Sequence, residues 1–254
     1  MIICLRPQPD CDSDVAELNR RAAQAVALPM LQVIYVPTPP TQLSNTNHLA
    51  IYQGVIITSK QASRYLSEQI LITPDLRHPA VWCVGSGSAD ILKQAGCQIA
   101  YSGKGNAADL ADQICGQGDG GPFLWLSGQD VHLDIATSLK SQGITVDREI
   151  IYHTEGLRLP HQVIQEHLLS RQDVAVIVYS ARTLKQFEEW LAEYAPTANR
   201  AQLTVLAASA GLAEHARALG YPALQASSAE RQALLHLSVD WYQQNFKNRS
   251  QKLT

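Results

Sequence analysis

The sequence contains no long apolar run, and little in it suggests a membrane or secretory role. No stretch of its 254 residues approaches the roughly 18 consecutive apolar residues of a membrane helix. The N-terminal segment MIICLRPQPD turns polar early and has no basic region, so we expect no signal peptide. The five cysteines are odd in number and show no CxxC spacing. We therefore expect a reduced, cytoplasmic protein in which Cys4 and Cys83 are small buried hydrophobes.

Motifs for metals, nucleotides and nucleophilic catalysis are also absent. The eight histidines form no HxxxH or HExxH pair, and no Cys/His cluster has zinc spacing, which predicts a protein without a metal. There is no GxSxG motif, and Gly85-Ser86-Gly87-Ser88 lacks the third glycine of GxGxxG because Asp90 stands there. A net charge of −3 gives no overall field that would attract nucleic acid.

What the sequence does contain is an alternation of short apolar strands with helical patterns. This alternation is typical of α/β proteins whose parallel sheets are covered by helices on both faces. We predict strands at 2–5, 31–36, 55–58, 81–84, 98–101, 123–126, 146–152, 174–179, 204–208 and 222–226. We predict helices at 11–26, 60–71, 87–95, 106–115, 130–142, 160–170, 181–194, 210–219 and 228–246.

The sequence contains an internal repeat, and the units of the second copy occur in a rotated order. Residues 55–66, VIITSKQASRYL, resemble 176–187, VIVYSARTLKQF, and residues 81–96 resemble 205–220 in the same way. A third segment, 123–154, has its counterpart at the start of the chain, in 2–37. This order predicts two similar domains, one of them assembled from both ends of the chain, with a cleft between them as the natural ligand site.

The domain boundaries are predicted from proline content and from the repeat. Three prolines in Pro37–Thr41 favour a stiff connection, and its counterpart begins after Tyr152. We predict a discontinuous domain of residues 1–36 plus 160–254 and a continuous domain of residues 42–152. The linkers are 37–41 and 153–159, and we expect the strands leading into them to run side by side as a hinge.

Small residues at strand-to-helix turns are the candidate binding groups. Such turns expose backbone N–H groups at the positive end of a helix, which suits a phosphate or carboxylate. Alternatively, their serines and glycines serve only as N-caps. The turns are Thr58-Ser59-Lys60, Gly85–Ser88, Tyr179-Ser180-Ala181 and Ser209-Ala210-Gly211.

Tyr152 is the candidate catalytic side chain. It lies in the predicted linker strand, where a phenol could donate a proton, and Tyr35 occupies the matching place in the repeat. The alternative is that Tyr152 is an ordinary packing residue of a strand.

The order of these motifs resembles that of the uroporphyrinogen-III synthase family. The resemblance runs from LRP at 5–7 to the helix near Ser228. Its strongest parts are ITSKQA at 57–62, the turn Val84–Ala89, and the segment from SGQD to IIYHT at 127–154. It implies two flavodoxin-like domains joined by a two-stranded linker, with the active site in the cleft.

The resemblance also implies a reaction and a set of site residues. Hydroxymethylbilane, a linear octacarboxylate tetrapyrrole, would lose water and close to uroporphyrinogen III with inversion of ring D, without a metal or cofactor. Tyr152 matches the tyrosine that helps the hydroxyl leave. The substrate-binding candidates are Arg6, Ser59, Lys60, Gly85, Ser86, Gly87, Ser88, Ser180, Ser209, Ala210 and Gly211. We expect a cyclising hydro-lyase that is monomeric and receives its substrate from the bilane-forming enzyme by transient handover.

The sequence departs from the family pattern at three points. Ser209–Ala213 stands where relatives usually read GPTTA, Ser127 replaces a basic residue, and Lys60 replaces a proline. Two other functions are compatible with twin α/β domains. One is a protein that binds a small anion without changing it. The other is a nucleotide-dependent transferase, which the incomplete glycine motif disfavours.

Overall fold

The structure is a computed structural model that describes residues 1–37, 43, 49–103, 106–117, 121–131, 133–157, 173–196, 198–228 and 230–247. The chain divides into two compact units. The first unit comprises Met1–Gln32 and Glu155–Thr254, and the second comprises Val33–Thr154. The predicted helix at 160–170 and most of the predicted linker 37–41 lie outside the described residues, as do residues 158 and 159 of the second linker.

The first unit contains a five-stranded parallel sheet. Its strands are β1 (Ile2–Cys4), β2 (Ala25–Ala27), β9 (Val174–Val178), β10 (Leu203–Ala207) and β11 (Ala223–Gln225), in the order β11-β10-β9-β1-β2. Its helices are α1 (Asp10–Arg20), α6 (Ala181–Tyr194), α7 (Ala210–Ala218) and α8 (Arg231–Tyr242). A short 3-10 helix covers Arg200–Gln202, and a π-helical turn, Gln243–Lys247, follows α8.

The second unit contains a six-stranded sheet. Its strands are β3 (Leu31–Tyr35), β4 (Gly54–Ile57), β5 (Ala80–Cys83), β6 (Ile99–Ser102), β7 (Phe123–Gly128) and β8 (Val146–Gly156), in the order β3-β8-β7-β4-β5-β6. Its helices are α2 (Lys60–Ile72), α3 (Ser86–Gln94), α4 (Ala107–Gln117) and α5 (Ile135–Lys140). A 3-10 turn covers Pro74–Arg77.

Both sheets bury apolar side chains on both faces. Along β4, Val55 and Ile57 belong to one apolar cluster and Ile56 belongs to the cluster on the opposite face. In the first unit, β9 alternates in the same way between two clusters. A strand buried on both faces is the arrangement of a parallel sheet between helical layers. The prediction of an α/β fold with parallel sheets and helices is confirmed.

The two sheets follow the rotated order of the sequence repeat. Strands β9, β10, β11, β1 and β2 hold the places in the first sheet that β4, β5, β6, β7 and β8 hold in the second. Strand β3 is added beside β8. The N–H of Val36 bonds the carbonyl of Ile151, and the N–H of Leu157 bonds the carbonyl of Met30. Residue numbers therefore rise along one segment as they fall along the other, so the two segments are antiparallel. The hinge motion and the cleft stay predictions.

The predicted helix at 11–26 is wrong in its second half. Helix α1 ends at Arg20, Ala22 adopts a left-handed conformation with φ of 59°, and the chain then forms β2. The side chain of Asn19 bonds both the N–H and the C=O of Ala25, at 2.9 and 3.1 Å. These bonds and the pairing with β1 outweigh the helix propensity of the alanines, as tertiary context often does.

Two other helix predictions are too long. Helix α5 begins only at Ile135, because the Asp134 carboxylate accepts hydrogen bonds from the N–H groups of Ala136 and Thr137 and so caps the helix there. Helix α8 spans Arg231–Tyr242 where 228–246 is predicted, and the following turn is π-helical.

Candidate active site

The carboxyl ends of the parallel strands carry the predicted site residues. In the second unit, β4, β5 and β7 end at Ile57, Cys83 and Gly128, and α2 and α3 begin just after the first two. Ligands of open α/β sheets bind at this edge, outside the carboxyl ends of the strands. A ligand bound at this edge would therefore contact the residues that follow these strands.

Ser59 caps helix α2 and accepts a hydrogen bond from Tyr152. Its backbone is extended, with φ of −147° and ψ of 152°, and its Oγ accepts from the N–H of Ala62 at 3.1 Å. The Tyr152 hydroxyl donates to the same oxygen at 3.0 Å. The capping alternative is thus confirmed for this hydroxyl, and the structure also joins it to the candidate catalytic phenol.

Gly128 provides the space that the Tyr152 ring occupies. A Cβ built on Gly128 would lie 2.6 Å from Cζ of Tyr152 and 2.8 Å from its hydroxyl oxygen. Real Cβ atoms do not approach so closely, and Gly128 is buried at the end of β7. A side chain at position 128 would therefore displace the phenol from Ser59.

A β-bulge brings Tyr152 opposite Gly128. Ser127 pairs with Ile150, but Gly128 pairs with Tyr152, so Ile151 is the extra residue. Ile151 and Tyr152 are consecutive, yet both pack against the same apolar cluster, which also includes Leu66 of α2. Bulges next to active sites redirect a side chain in this way, since a shift of one residue changes the face on which it lies.

Burial raises the pKa of Tyr152. The hydrogen bond with Ser59 lowers the pKa in part, and the negative charge of Asp130 raises it. The phenol therefore keeps its proton at neutral pH and acts as a hydrogen-bond donor. Its repeat partner Tyr35 lies edge-on to it at 6.2 Å between ring centroids, and its own hydroxyl donates to Gln61 instead.

Lys60 and the Gly85–Ser88 turn lie together. A Cβ on Gly87 would lie 2.5 Å from Cε of Lys60, so the lysine side chain crosses this glycine. Gly85 is the N-cap of α3 without a side-chain bond, Ser86 is exposed, and Ser88 is 6% exposed. The structure thus gathers Ser59, Lys60 and the glycine turn at one edge, with Tyr152 bonded to Ser59.

The corresponding turns of the first unit have the same backbone. The φ and ψ angles of Ser180 are −148° and 151°, and those of Ser209 are −147° and 161°. Both serines accept hydrogen bonds from their helices, Ser180 from Thr183 N and Ser209 from Leu212 N. Both hydroxyls therefore serve as caps. A Cβ on Gly211 would meet nothing within 4 Å, and Ala210 begins α7.

Arg6 lies in a buried ion cluster of the first unit. Its guanidinium is 3.2 Å from the Asp14 carboxylate and 3.3 Å from that of Asp10, and it stacks on the ring of Tyr179 at 4.2 Å. Burial by itself lowers the pKa of Arg6, but the two carboxylates raise it more. The charge of Arg6 is therefore balanced within the unit.

Asp14 is the centre of this cluster. Its carboxylate is 0% exposed and accepts hydrogen bonds from Arg6, from the Tyr179 hydroxyl at 3.0 Å and from Nε of Arg231 at 2.5 Å. Burial raises the pKa of Tyr179, and the charge of Asp14 raises it further. The cluster joins α1, the ends of β1 and β9, and the start of α8.

Sequence reasoning missed Gly128, the Asp14 cluster and Arg148. The guanidinium of Arg148 donates to Ser127 Oγ and to the carbonyl oxygens of Gly128 and Gln129. Asp14 follows β1 and Arg231 begins α8, so each can be placed from the sequence. Their ion pair cannot, because the two residues are 217 positions apart in the chain.

A cavity of about 620 Å³ lies at the opposite end of the second sheet. It is lined by Tyr52, Gln53, Asp75, His78 and Gln98, near the amino ends of β4 and β5. The predicted residues at the carboxyl ends do not line it. Chemistry and strand direction favour the carboxyl edge as the candidate site over this cavity.

Within the described residues, no group of three or more His, Cys, Asp or Glu side chains could hold a metal ion. In the same part of the chain, no helix combines the length and apolar character needed to cross a membrane.

Comparison with known proteins identifies relatives. The curated porphyrin biosynthesis protein HemD of Ruminiclostridium josui is 22% identical over 195 residues, which is 73% of this chain and 38% of that protein. The chain therefore spans well under half the length of this relative. The crystal structure of uroporphyrinogen-III synthetase from Helicobacter pylori 26695 matches with a TM-score of 0.66 at 16% identity, over 94% of this chain and 98% of that chain.

A mutant uroporphyrinogen III synthase of Thermus thermophilus matches with a TM-score of 0.57, also at 16% identity, over 96% of this chain and 99% of that chain. At these identities the structural matches show the fold. The family model described as uroporphyrinogen-III synthase HemD matches residues 12–236. Since this match covers most of its length, the chain belongs to the uroporphyrinogen-III synthase HemD family, a family of enzymes in porphyrin biosynthesis.

Proposed function

We propose that this chain is a uroporphyrinogen-III synthase that closes hydroxymethylbilane to uroporphyrinogen III, with loss of water and inversion of ring D. Family membership supports this assignment, and the observation that carries it is the Tyr152–Ser59 pair at the carboxyl edge of the second sheet. The reaction is that of a cyclising hydro-lyase and needs no cofactor.

The phenol of Tyr152 assists the departure of the hydroxyl group. Its O–H points to Ser59 at 3.0 Å and, because the pKa is raised, it carries its proton at neutral pH. When substrate binds, the O–H turns from Ser59 to the hydroxyl on ring A of the bilane. The phenol gives its proton to the departing hydroxyl group, the carbon–oxygen bond breaks, and water is lost. The N–H of ring A returns a proton to the phenolate, and the substituted carbon of ring D attacks the electrophilic azafulvene that remains. The spiro intermediate so formed rearranges to the inverted macrocycle.

Positioning carries much of the rate, because the bilane also closes without inversion when it is not held. Fixing reacting groups in the correct geometry can supply several kcal/mol of the barrier, up to about 7–11. Lys60 and the first N–H groups of α2 and α3 offer a cation and two helix N-termini to the carboxylates of the substrate. These local donors explain how an acidic protein would bind an anion.

We keep Arg6, Ser180 and Ser209–Gly211 in the proposal as further substrate contacts of the first unit. Arg6 contributes little net charge, because Asp10 and Asp14 already neutralise it. Ser180 and Ser209 contribute through backbone N–H groups, because their hydroxyls cap their own helices.

We also propose that the two units are flavodoxin-like domains, with boundaries close to those predicted from the sequence. The first sheet supports this, since its strands taken in chain order have the arrangement 2-1-3-4-5 of flavodoxin. The second sheet has the same arrangement once the rotation of the repeat is undone. We further propose that the enzyme is monomeric and cytoplasmic and that it takes its substrate directly from the bilane-forming enzyme.

The experiment that tests this function supplies freshly made hydroxymethylbilane and separates the uroporphyrin I and III isomers after oxidation. We expect isomer III in proportion to the amount of protein. Formation of isomer I alone, at the rate without protein, would reject the proposal. Retained binding of the bilane in that case would favour the alternative of an anion-binding protein.

A further inference from the structure

We propose that Arg148 is a positioning residue that fixes the β-bulge beneath Tyr152 and so holds the phenol over Gly128. The proposal rests on the function proposed above in so far as it concerns turnover. Its structural part, the position of the Tyr152 ring, can be measured without substrate.

Arg148 reaches along the neighbouring strand to the place where the register changes. It pairs with Trp125 in the β7–β8 ladder, and its guanidinium stacks on the indole ring at 4.8 Å. From there, Nε donates to Ser127 Oγ at 2.8 Å. The bulge lies between Ser127 and Gly128, so this first bond is made at the last residue before it.

A second nitrogen of the guanidinium bonds residues on the far side of the bulge. Nη2 donates to the Gly128 carbonyl at 2.8 Å and to the Gln129 carbonyl at 3.0 Å. One planar, always charged group thus bonds three consecutive residues of β7 and the loop after it. Such a fork holds several acceptors in one geometry, which a lysine amine does not do.

The guanidinium and the phenol lie on opposite faces of the sheet. Trp125, against which Arg148 stacks, belongs to the apolar cluster on one face, whereas Tyr152 packs against the cluster on the other. Arg148 therefore acts on Tyr152 through the backbone at Gly128, where any added Cβ would overlap the ring. It supports the phenol from behind and does not touch the reacting atoms.

The same network reaches the partner of Tyr152. The indole N–H of Trp125 donates to Thr58 Oγ1 at 3.1 Å, and Thr58 directly precedes Ser59. Arg148 and Trp125 together therefore fix both ends of the hydrogen bond from Tyr152 to Ser59. Loss of the fork frees Gly128 and its neighbours to shift, and with them the ring.

The test compares Arg148→Met, which keeps the apolar stem over Trp125, with Arg148→Lys and with the matched control Arg77→Met. Arg77 also bonds a backbone carbonyl of the second unit, that of Ala95, far along the chain from Tyr152. We expect Arg148→Met to lower kcat about tenfold with KM changed by less than about twofold, since small misplacements of a catalytic group are costly. Arg148→Lys is expected to recover part of the loss, and Arg77→Met to behave as the wild type.

The decisive readout is the same substitution in a Tyr152→Phe background. A residue that acts through Tyr152 has almost no further effect there, whereas a general structural defect lowers kcat equally in both backgrounds. Equal losses, or a folded Arg148→Met variant with wild-type kcat, would overturn the proposal.

A measurement without substrate separates this proposal from the function itself. In protein labelled with ¹³Cζ-tyrosine, the Tyr152 resonance, identified by its absence in Tyr152→Phe, should move in Arg148→Met or, if that variant does not fold, in Arg148→Lys. Its titration should also move toward the ordinary tyrosine pKa. An unchanged resonance and titration would reject the positioning role even if the wild type makes isomer III. A shifted resonance in a protein that makes only isomer I would uphold positioning and reject the function.

Discussion

The carboxyl edges of the two sheets have the same backbone conformation at their capped turns but differ in the interactions of their polar and charged side chains. Ser59 and Ser180 cap matching helices with φ and ψ angles that agree within a degree. In the first unit, however, Arg6 is bound by two carboxylates, and the central one, Asp14, is fully buried. In the second unit, Tyr152 and Ser59 form a bond between neutral hydroxyls beside a lysine.

The difference indicates that the two edges have different roles, although their backbone conformations are alike. A buried carboxylate with three donors stabilises an edge but cannot easily release a partner to bind a ligand. A phenol bonded to a serine hydroxyl is exchanged at small cost, because the net energy of a neutral hydrogen bond is only about 0.5–1.5 kcal/mol. The second edge is therefore the one at which we propose catalysis.

The largest expected effect comes from the first edge. Replacing Asp14 by alanine leaves the charges of Arg6 and Arg231 without their shared partner, and we expect a loss of about 3–5 kcal/mol in the free energy of unfolding. Urea denaturation measures it. Asp90→Ala, which breaks an exposed pair with Lys93, is the control and should cost less than about 1 kcal/mol. Equal losses in both variants would contradict a special role for the buried cluster.

The next effect is on turnover at the second edge. We expect Tyr152→Phe to lower kcat for isomer III by about 10²-fold, the lower range for general-acid assistance, while Tm stays close to that of the wild type. Tyr35→Phe removes the hydroxyl of the repeat partner, which bonds Gln61, and should leave kcat nearly unchanged. If the two variants lose the same activity, Tyr152 has no particular role in catalysis.

Alkaline pH should reveal the burial of Cys83 at the second edge. Burial raises the pKa of its thiol to about 12 from 9.0, so between these values the unfolded chain loses a proton that the folded protein keeps. Stability from this group is complete below pH 9 and falls with rising pH by at most about 1.4 kcal/mol per pH unit. Cys83→Ala makes β5 resemble β10, which has Ala207 at the matching place, and should flatten the decline measured by urea denaturation. A slope equal to that of the wild type would count against this assignment.

The two capping serines should be equal in stability and unequal in activity. Ser59→Ala and Ser180→Ala each remove an N-cap, and we expect each to cost about 1 kcal/mol in thermal or urea unfolding. Only Ser59→Ala also removes the acceptor of Tyr152, so it alone should lower kcat clearly. A comparable loss of kcat in Ser180→Ala would show that the first edge takes part in the reaction as directly as the second.

The smallest expected effect concerns the matching glycines of α3 and α7. Gly211 faces open space, so Gly211→Ala should stabilise the protein by about 0.5–1 kcal/mol through higher helix propensity. Gly87→Ala should bring no such gain, because the new methyl group must push Lys60 aside. Differential scanning calorimetry of the two variants gives the comparison, and an equal gain in both would contradict the position of Lys60.

Much of the fold could be predicted because its signals are local. Strands β4, β5 and β9 show continuous apolar runs, and α6 carries buried residues at helical spacing, so the predicted helix 181–194 matches Ala181–Tyr194. The serines that precede α2, α6 and α7 are N-caps, as sequence chemistry allows. Strand β2 was missed because Asn19 and the pairing with β1, not local propensity, hold it.

The residues of the candidate site can likewise be divided into those that the sequence predicts and those that it does not. Tyr152, Ser59 and the Gly85–Ser88 turn stand out in the sequence because they occupy recognisable places in a repeat. The ion cluster around Asp14 does not, because Asp14 and Arg231 come from helices at opposite ends of the chain.

The sequence by itself determined the alternation of strands and helices, the rotated repeat, the capped turns and the choice of Tyr152, since each follows from neighbours along the chain. Only the tertiary structure decided that Gly128 faces Tyr152, that Arg148 bonds residues on both sides of the bulge, and that Asp14 is shared by Arg6 and Arg231. The physical reason is that strand register and buried ion pairs depend on which distant segments meet. A bulge of one residue then decides the face on which a side chain lies.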